Sequence, residues 1–361
     1  MSNRGYTRRE ILAAAGLGAA SIIASRSVGL ARQFSGKPPA ARPNIVFILA
    51  DDLGWKDVGY HGGSIKTPNI DKLAAEGTRL EQFYVQPVCS PTRSSLMTGR
   101  YPMRYGLQVG VVRPWANYGL PLEERTLAQG LKEAGYATAI CGKWHLGHLN
   151  SQYLPTSRGF DHQYGHYNGA LDYFTHIRDG GLDWHRDDQP LREEGYTTDL
   201  LADESVRLIE RHDAARPLFL YVPFNAVHSP FQAPQSYIDQ YRHIQAKNKR
   251  IYAAMVTSMD DAIGQIVSAL DKRGIRQNTL IVFCSDNGGV ASVSDNGLLR
   301  GQKAELYQGG VRVPAVVVWP GVLKAGAVVD EPLHIVDMFP TLLKLAGSTL
   351  EQPLPLDGKD A

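Results

Sequence analysis

Asn44-Ile45-Val46-Phe47-Ile48-Leu49-Ala50 is an apolar run that stops abruptly at a carboxylate pair, Asp51-Asp52. It shows no polar alternation, so it reads as a strand buried on both faces. Such strands belong to parallel sheets covered by helices. Four runs repeat the pattern downstream, at residues 137–141, 218–224, 280–285 and 315–319. Pro223 marks the end of the second of these. Helical patterns lie between them. Residues 69–76 and 126–134 each stop at a glycine, Gly77 and Gly135. Residues 199–212 follow Thr197-Thr198, which are expected to cap them. Residues 251–273 place Tyr252, Met255, Met259, Ile263, Ile266 and Leu270 on one stripe, which reads as core. Residues 335–346 read as a last helix, kinked at Pro340. The expected fold is α/β, with a mixed, mostly parallel central sheet sandwiched by helices. Residues 153–196 have no clear period and are expected to form long loops over the active face.

The polar clusters fall just after the strands. Asp51-Asp52 follow the first, Lys143 and His145 the second, His228 the third and Asp286-Asn287 the fourth. In parallel sheets the ligand crevice lies beyond the carboxyl ends of the strands, so these segments should meet in one pocket. Asp51, Asp52, Asp286 and Asn287 offer hard oxygen ligands, suited to Ca²⁺ or Mg²⁺ and not to zinc. His148, three residues after His145, reads as a loop residue because Gly147 argues against a helix and no third ligand follows.

Composition narrows the field. The chain has 361 residues, 43% hydrophobic, enough for one large domain. A net charge of +2 argues against nucleic acid, and any anionic substrate must be held by local charges. Cys89, Cys141 and Cys284 form no disulfide framework and no zinc spacing. Cys141 and Cys284 end apolar runs and are expected to be buried and inert.

Cys89-Ser90-Pro91-Thr92-Arg93 is the remaining signal, continued by Ser94-Ser95-Leu96-Met97-Thr98-Gly99-Arg100. Pro91 suits the first turn of a helix, and the free N–H groups and dipole at that end attract an anion. Arg93 adds a guanidinium fork. This run resembles the signature of the type I sulfatases. So do Leu299-Arg300-Gly301, Gly309-Gly310-Val311-Arg312-Val313-Pro314 and His334-Ile335-Val336-Asp337. Within that family the chain looks most similar to the arylsulfatase B type, the N-acetylgalactosamine-4-sulfatases. Residues 218–227, residues 251–264 and Pro355-Leu356-Asp357-Gly358 carry that likeness.

The resemblance implies that Cys89 is oxidised by a separate maturation enzyme to formylglycine (3-oxoalanine). It also implies Ca²⁺ held by Asp51, Asp52, Asp286, Asn287 and residue 89. Modified Cys89 would be the nucleophile, and Arg93 would hold the diol and the metal carboxylates. Lys143 and Lys303 would neutralise sulfate oxygens. His145 would assist breakdown of the covalent sulfate, and His228, with Lys303, would protonate the leaving oxygen. An aldehyde hydrate suits this chemistry because its second hydroxyl can expel sulfate by C–O cleavage, dividing one difficult displacement into two steps. The expected substrate is a sulfated carbohydrate or an aryl sulfate. A formylglycine-dependent phosphodiester or phosphonate monoester hydrolase is the competing enzyme, and a non-catalytic sulfated-glycan binding protein the competing class.

Thr7-Arg8-Arg9-Glu10-Ile11-Leu12 resembles a twin-arginine export signal, so residues 1–42 read as signal and linker and 43–361 as catalytic domain. Residues 11–24 are too short to span a membrane, and no stable span is expected after signal removal. The expected location is the periplasm or the cell exterior. Type I sulfatases usually continue into a smaller C-terminal domain, so the expectation is that this part is largely missing here.

Overall fold

The computed structural model describes residues 42–349 and 353–361; the twin-arginine segment and its spacer up to residue 41 lie outside them. The first strand, β1, spans Asn44–Ala50 as expected. It is followed by α1 (Pro68–Glu76), β2 (Thr78–Leu80), β3 (Phe83–Tyr84), α2 (Cys89–Thr98) and α3 (Leu127–Glu133). Then come β4 (Ala137–Lys143), β5 (His162–His166), β6 (Ile177–Arg178), β7 (Gly181–Leu182), β8 (His185–Arg186) and β9 (Gln189–Pro190). The second half holds α4 (Thr197–Arg211), β10 (Leu218–Pro223), α5 (Gln235–Ile238), α6 (Lys247–Arg273) and β11 (Thr279–Ser285). It closes with α7 (Gln308–Val311), β12 (Ala315–Val318), β13 (Ala327–Val329), β14 (Leu333–His334) and α8 (Met338–Leu345).

One ten-stranded sheet, in the order β13-β2-β12-β11-β1-β10-β4-β5-β8-β9, forms the centre. β11, β1, β10, β4 and β5 run parallel, and β12 and β8 are antiparallel to their neighbours β11 and β5. The sheet is thus mixed and mostly parallel, with helices on both faces. Period-2 alternation divides β1 between two cores. Val46, Ile48 and Ala50 join α1, α4 and α6 on one side, and Ile45, Phe47 and Leu49 join α2, α3 and α8 on the other. Each larger apolar side chain so buried contributes roughly 1.5–3 kcal/mol.

Register places the chemistry. Ala50 pairs with Ser285 and Leu49 with Pro223, so Asp51 and Asp286 leave the sheet side by side. β4 extends two residues beyond its expected end, and Lys143 pairs with His166 of β5.

Three local expectations are corrected. Thr197 and Thr198 lie inside α4, and Tyr196 takes the N-cap position without a side-chain bond. The last helix begins at Met338 and not at 335, with residues 335–337 forming a 3₁₀ turn, so Pro340 falls in its first turn, where the missing N–H has no intrahelical partner to lose. Residues 153–196 are not all loop: β5 joins the central sheet, followed by the short hairpin strands β6–β9. Gly165 and the polar His162, Gln163 and His166 hid β5 from a reading based on apolar runs.

Candidate active site

α2 begins at Cys89, with Val88 in extended conformation before it, and all ten of its residues are buried. Its first turn therefore points at the strand ends. Cys89 Sγ lies 3.5 Å from Asp51 Oδ1. One turn on, buried Arg93 donates from Nη2 to Asp286 Oδ2 at 2.8 Å and to Asp51 Oδ2 at 3.3 Å, and from Nη1 to the Lys143 carbonyl at 3.0 Å. Lys143 Nζ is ion-paired with Asp51 Oδ2. Lys303 Nζ lies 2.6 Å from Asp52 Oδ1. Three carboxylates thus face three fixed cations in a nearly dry pocket.

Asp51, Asp52, Cys89 and His228 can each present one ligand atom within 4.8 Å of the others. Asp286 is outside that set, turned towards Arg93, with Oδ1 accepting from the Asp52 N–H at 3.3 Å. Asn287 donates from Nδ2 to Asp52 Oδ1 at 2.8 Å, and its own Oδ1 is buried without a partner. Two carboxylates beside an orphaned amide oxygen are a donor set of the kind hard divalent cations take.

The two histidines sit differently. His145 is buried; its Nε2 lies 2.9 Å from the Val112 carbonyl, while Nδ1 has no partner. The proton therefore belongs on Nε2, leaving the Nδ1 lone pair free. Burial, with Lys143 and Arg93, pushes its pKa well down, so the ring is neutral at pH 7. Gly169 passes so close that a Cβ there would lie 2.5 Å from the ring. His228 is more open; its Nε2 is 3.7 Å from Asp52 Oδ2. Burial lowers its pKa against the pull of Asp52 and Asp51. Asp52 (φ 64°) and His145 (φ 59°) both adopt the left-handed region, which costs non-glycine residues about 1 kcal/mol or more.

The acids divide. Burial pushes the Asp51 carboxyl up, but Lys143, His228, Arg93 and Lys303 outweigh it and hold the group far below the carboxylate range. Asp286 moves the other way, raised by burial and by Asp51 against Arg93. The Cys89 thiol is pushed up to about 12, by burial first and then by Asp51.

Some supporting residues gave no sequence signal. Asp57 accepts from the Gly54 N–H, the Tyr252 hydroxyl and the Asp295 N–H at 2.9, 2.5 and 3.0 Å, tying the Asp52 turn to the loop that leads to Lys303. Tyr173 has its hydroxyl 2.7 Å from the Asn225 carbonyl and 2.8 Å from that of His228. Both join segments far apart in the chain. His148 is a loop residue 3.0 Å from the Pro114 carbonyl, as expected. Cys141 and Cys284 are free and buried.

Residues 43–348 match the family Sulfatase. Arylsulfatase J of Mus musculus is 43% identical over 338 residues, 91% of this chain and 56% of its own length. N-acetylgalactosamine-6-sulfatase of Canis lupus familiaris is 34% identical, over 97% of this chain and 68% of its own. The crystal structure of Ps i-CgsB in complex with k-i-k-neocarrahexaose superposes with a TM-score of 0.85 at 36% identity, covering 89% of this chain and 75% of that one. The chain thus spans little more than half the length of the first of these relatives. With the match running through both the strand ends and the Cys89 helix, the chain belongs to the sulfatase family.

Proposed function

We propose that the protein hydrolyses sulfate esters, of a sulfated carbohydrate such as N-acetylgalactosamine 4-sulfate or of an aryl alcohol. In this reading residue 89 acts as formylglycine, and Ca²⁺ is held among Asp51, Asp52, Asp286 and Asn287. The observation that carries it is the balance of three buried carboxylates against Arg93, Lys143 and Lys303 around Cys89. A divalent cation added to that set leaves a surplus of positive charge in a dry pocket, which an anionic ester would satisfy. The names of the relatives support a sulfated substrate, and one solved relative holds a carbohydrate.

The state of Cys89 supports the need for conversion. A thiol pushed up to about 12 by burial and Asp51 stays protonated at pH 7 and is then a poor nucleophile. Once present, the hydrated aldehyde supplies a nucleophilic oxygen and the cation supplies charge for the sulfuryl oxygens. The chain's own groups do the rest. Arg93 keeps Asp51 and Asp286 aligned. Lys143 and Lys303 oppose charge on the sulfuryl group. His145, neutral and with Nδ1 free, accepts a proton from residue 89. His228, on the open side, gives a proton to the leaving oxygen, its charged form favoured by Asp52 and Asp51 against burial.

Export by the twin-arginine route to the periplasm or beyond, and maturation by a formylglycine-generating enzyme, complete the proposal. Among the described residues no helix is long and apolar enough to cross a membrane.

Matched assays with 4-nitrophenyl sulfate and bis(4-nitrophenyl) phosphate, before and after chelation, test this reading. The expected result is faster sulfate-ester cleavage that chelation abolishes and Ca²⁺ restores. Faster phosphodiester cleavage would favour the competing hydrolase; full activity after thorough chelation would remove the metal from the account. Sulfated-glycan binding that survives Cys89→Ala, with no sulfate release by the wild type, would favour a binding protein.

A further inference from the structure

Lys303 reaches the site from residues 286–307, a segment between β11 and α7 that holds no helix or strand. Its outer part is in solvent, with Leu298 fully exposed and Leu306 82% exposed. Even so, Lys303 Nζ is held 2.6 and 2.7 Å from the two Asp52 carboxylate oxygens, with its side chain largely covered. A cation placed that closely from a loop requires that the loop itself be fixed by hydrogen bonds and packing.

One side-chain amide closes this loop. Asn296 Oδ1 accepts the Gly289 N–H at 3.0 Å, and Asn296 Nδ2 donates to the Gly289 carbonyl at 3.0 Å. The same carbonyl accepts the Lys303 N–H at 3.2 Å. Nδ2 also faces the Gly301 carbonyl at 3.4 Å. Asn296 thus joins the backbone just after Asn287 to the backbone just before Lys303. Asp295 continues the seam: its carbonyl accepts the Lys56 N–H at 2.8 Å, and its N–H donates to Asp57 Oδ1 at 3.0 Å. The packing leaves little slack, since a Cβ on Gly54 would lie 3.1 Å from Asn296 Oδ1 and one on Gly289 would lie 2.1 Å from Ser294 Oγ. Lys303 itself is followed by Ala304 in the left-handed region (φ 71°), whose N–H donates to the Pro87 carbonyl at 2.8 Å. A non-glycine residue keeps that conformation only where its surroundings hold it. An asparagine amide offers one acceptor and one donor to the two groups of Gly289. An aspartate there would offer acceptors alone and set a carboxylate against a carbonyl.

We infer that Asn296 is a positioning residue for the reaction, its amide fixing the turn from which Lys303 meets Asp52 and the sulfate ester. Its side-chain hydrogen bonds go to the main chain of Gly289 and Gly301, so its effect passes through the backbone that carries Lys303. The inference rests on the reading of Lys303 as a group that opposes charge on the sulfuryl oxygens.

A double-mutant cycle tests it. The full chain is compared with Asn296→Ala, Lys303→Ala and the double variant, reading kcat/KM for 4-nitrophenyl sulfate per folded molecule that carries the aldehyde. Lys303→Ala alone should lose about 10²-fold or more, and Asn296→Ala alone about tenfold to a hundredfold. In the Lys303→Ala background, Asn296→Ala should cost less than about twofold further, because the group it positions is gone. A merely structural residue would lower stability in both backgrounds and kcat/KM per folded molecule in neither. Asn296→Asp, of nearly the same size, should keep the fold by circular dichroism and follow the same pattern, and it stands in for Asn296→Ala if that variant does not fold. Unchanged kcat/KM in the Asn296 variants overturns the inference. So does an equal loss with and without Lys303, which would route the effect through Asn287 and the carboxylates. Full turnover by Lys303→Ala would overturn the reading of Lys303 and the inference with it.

Discussion

Two ionic networks, each built on buried carboxylates, sit at different places on the same sheet, and they end in different surroundings. Towards the β5–β8 side, Glu204 of α4 is saturated. It meets His162 and Arg186 at 2.7 Å each and Arg207 Nε at 2.8 Å, and the other nitrogen of His162 meets Asp187 at 2.8 Å. At the strand ends, three carboxylates and three cations are also paired, yet His145 Nδ1 and Asn287 Oδ1 are left buried and open. Native structures leave few buried polar atoms unsatisfied, and at the strand ends two of them lie among the carboxylates and cations. The networks differ in what surrounds them: Glu204 is ringed by cations, whereas the strand-end groups surround Cys89 and the orphaned Asn287 oxygen.

Substitution can break that contrast. The largest effect is expected from Cys89→Ala, which should lower sulfate release by at least about 10⁴-fold with the fold intact by circular dichroism. Glu204→Gln should leave turnover within about twofold. If both variants lost activity alike, the distinction between the networks would fail. His228→Ala comes next. It should cost about 10²–10³-fold on substrates with poor leaving groups and much less on 4-nitrophenyl sulfate. Equal losses on both would remove His228 as the proton donor.

Stability should reverse the ranking. Glu204→Gln is expected to cost about 2 kcal/mol in chemical denaturation, below the 3–5 kcal/mol of a wholly buried pair because both arginines are 36% exposed. Burial raises the Glu204 pKa, but His162, Arg207 and Arg186 overcome this and hold it below its ordinary 4.5. A carboxyl depressed in the folded state contributes stability above pH 4.5 and loses it as pH falls below. The wild-type melting temperature should therefore drop more steeply than that of Glu204→Gln on acidification below that point. Parallel acid limbs would show that the network is not coupled to folding. The smallest effect is expected from Thr126→Ala, about 1 kcal/mol, through loss of the capping box with Gln129 at the start of α3. No change in activity should accompany it.

What could be read from the sequence follows from the same physics. β1, β10 and β11 were legible because strands buried on both faces need unbroken apolar runs. Their polar successors Asp51, Asp286 and Asn287 were legible because the runs end where they begin. β5 was missed because Gly165 and the polar His162, Gln163 and His166 break the apolar pattern, His162 being held by Glu204 and Asp187. Asp57 and Tyr252 were missed because they lie 195 residues apart and meet only once α6 packs on the sheet. The placing of the His145 proton on Nε2 depends on the main chain of Val112, which no side-chain pattern encodes.

The central claim is that residue 89 works as an aldehyde and not as a thiol. Mass spectrometry of the peptide containing residue 89, taken from protein whose sulfate-ester turnover has been measured, tests it most directly. The account predicts the aldehyde mass in a fraction of molecules that rises in step with specific activity. Full activity in protein whose residue 89 is entirely thiol would contradict it.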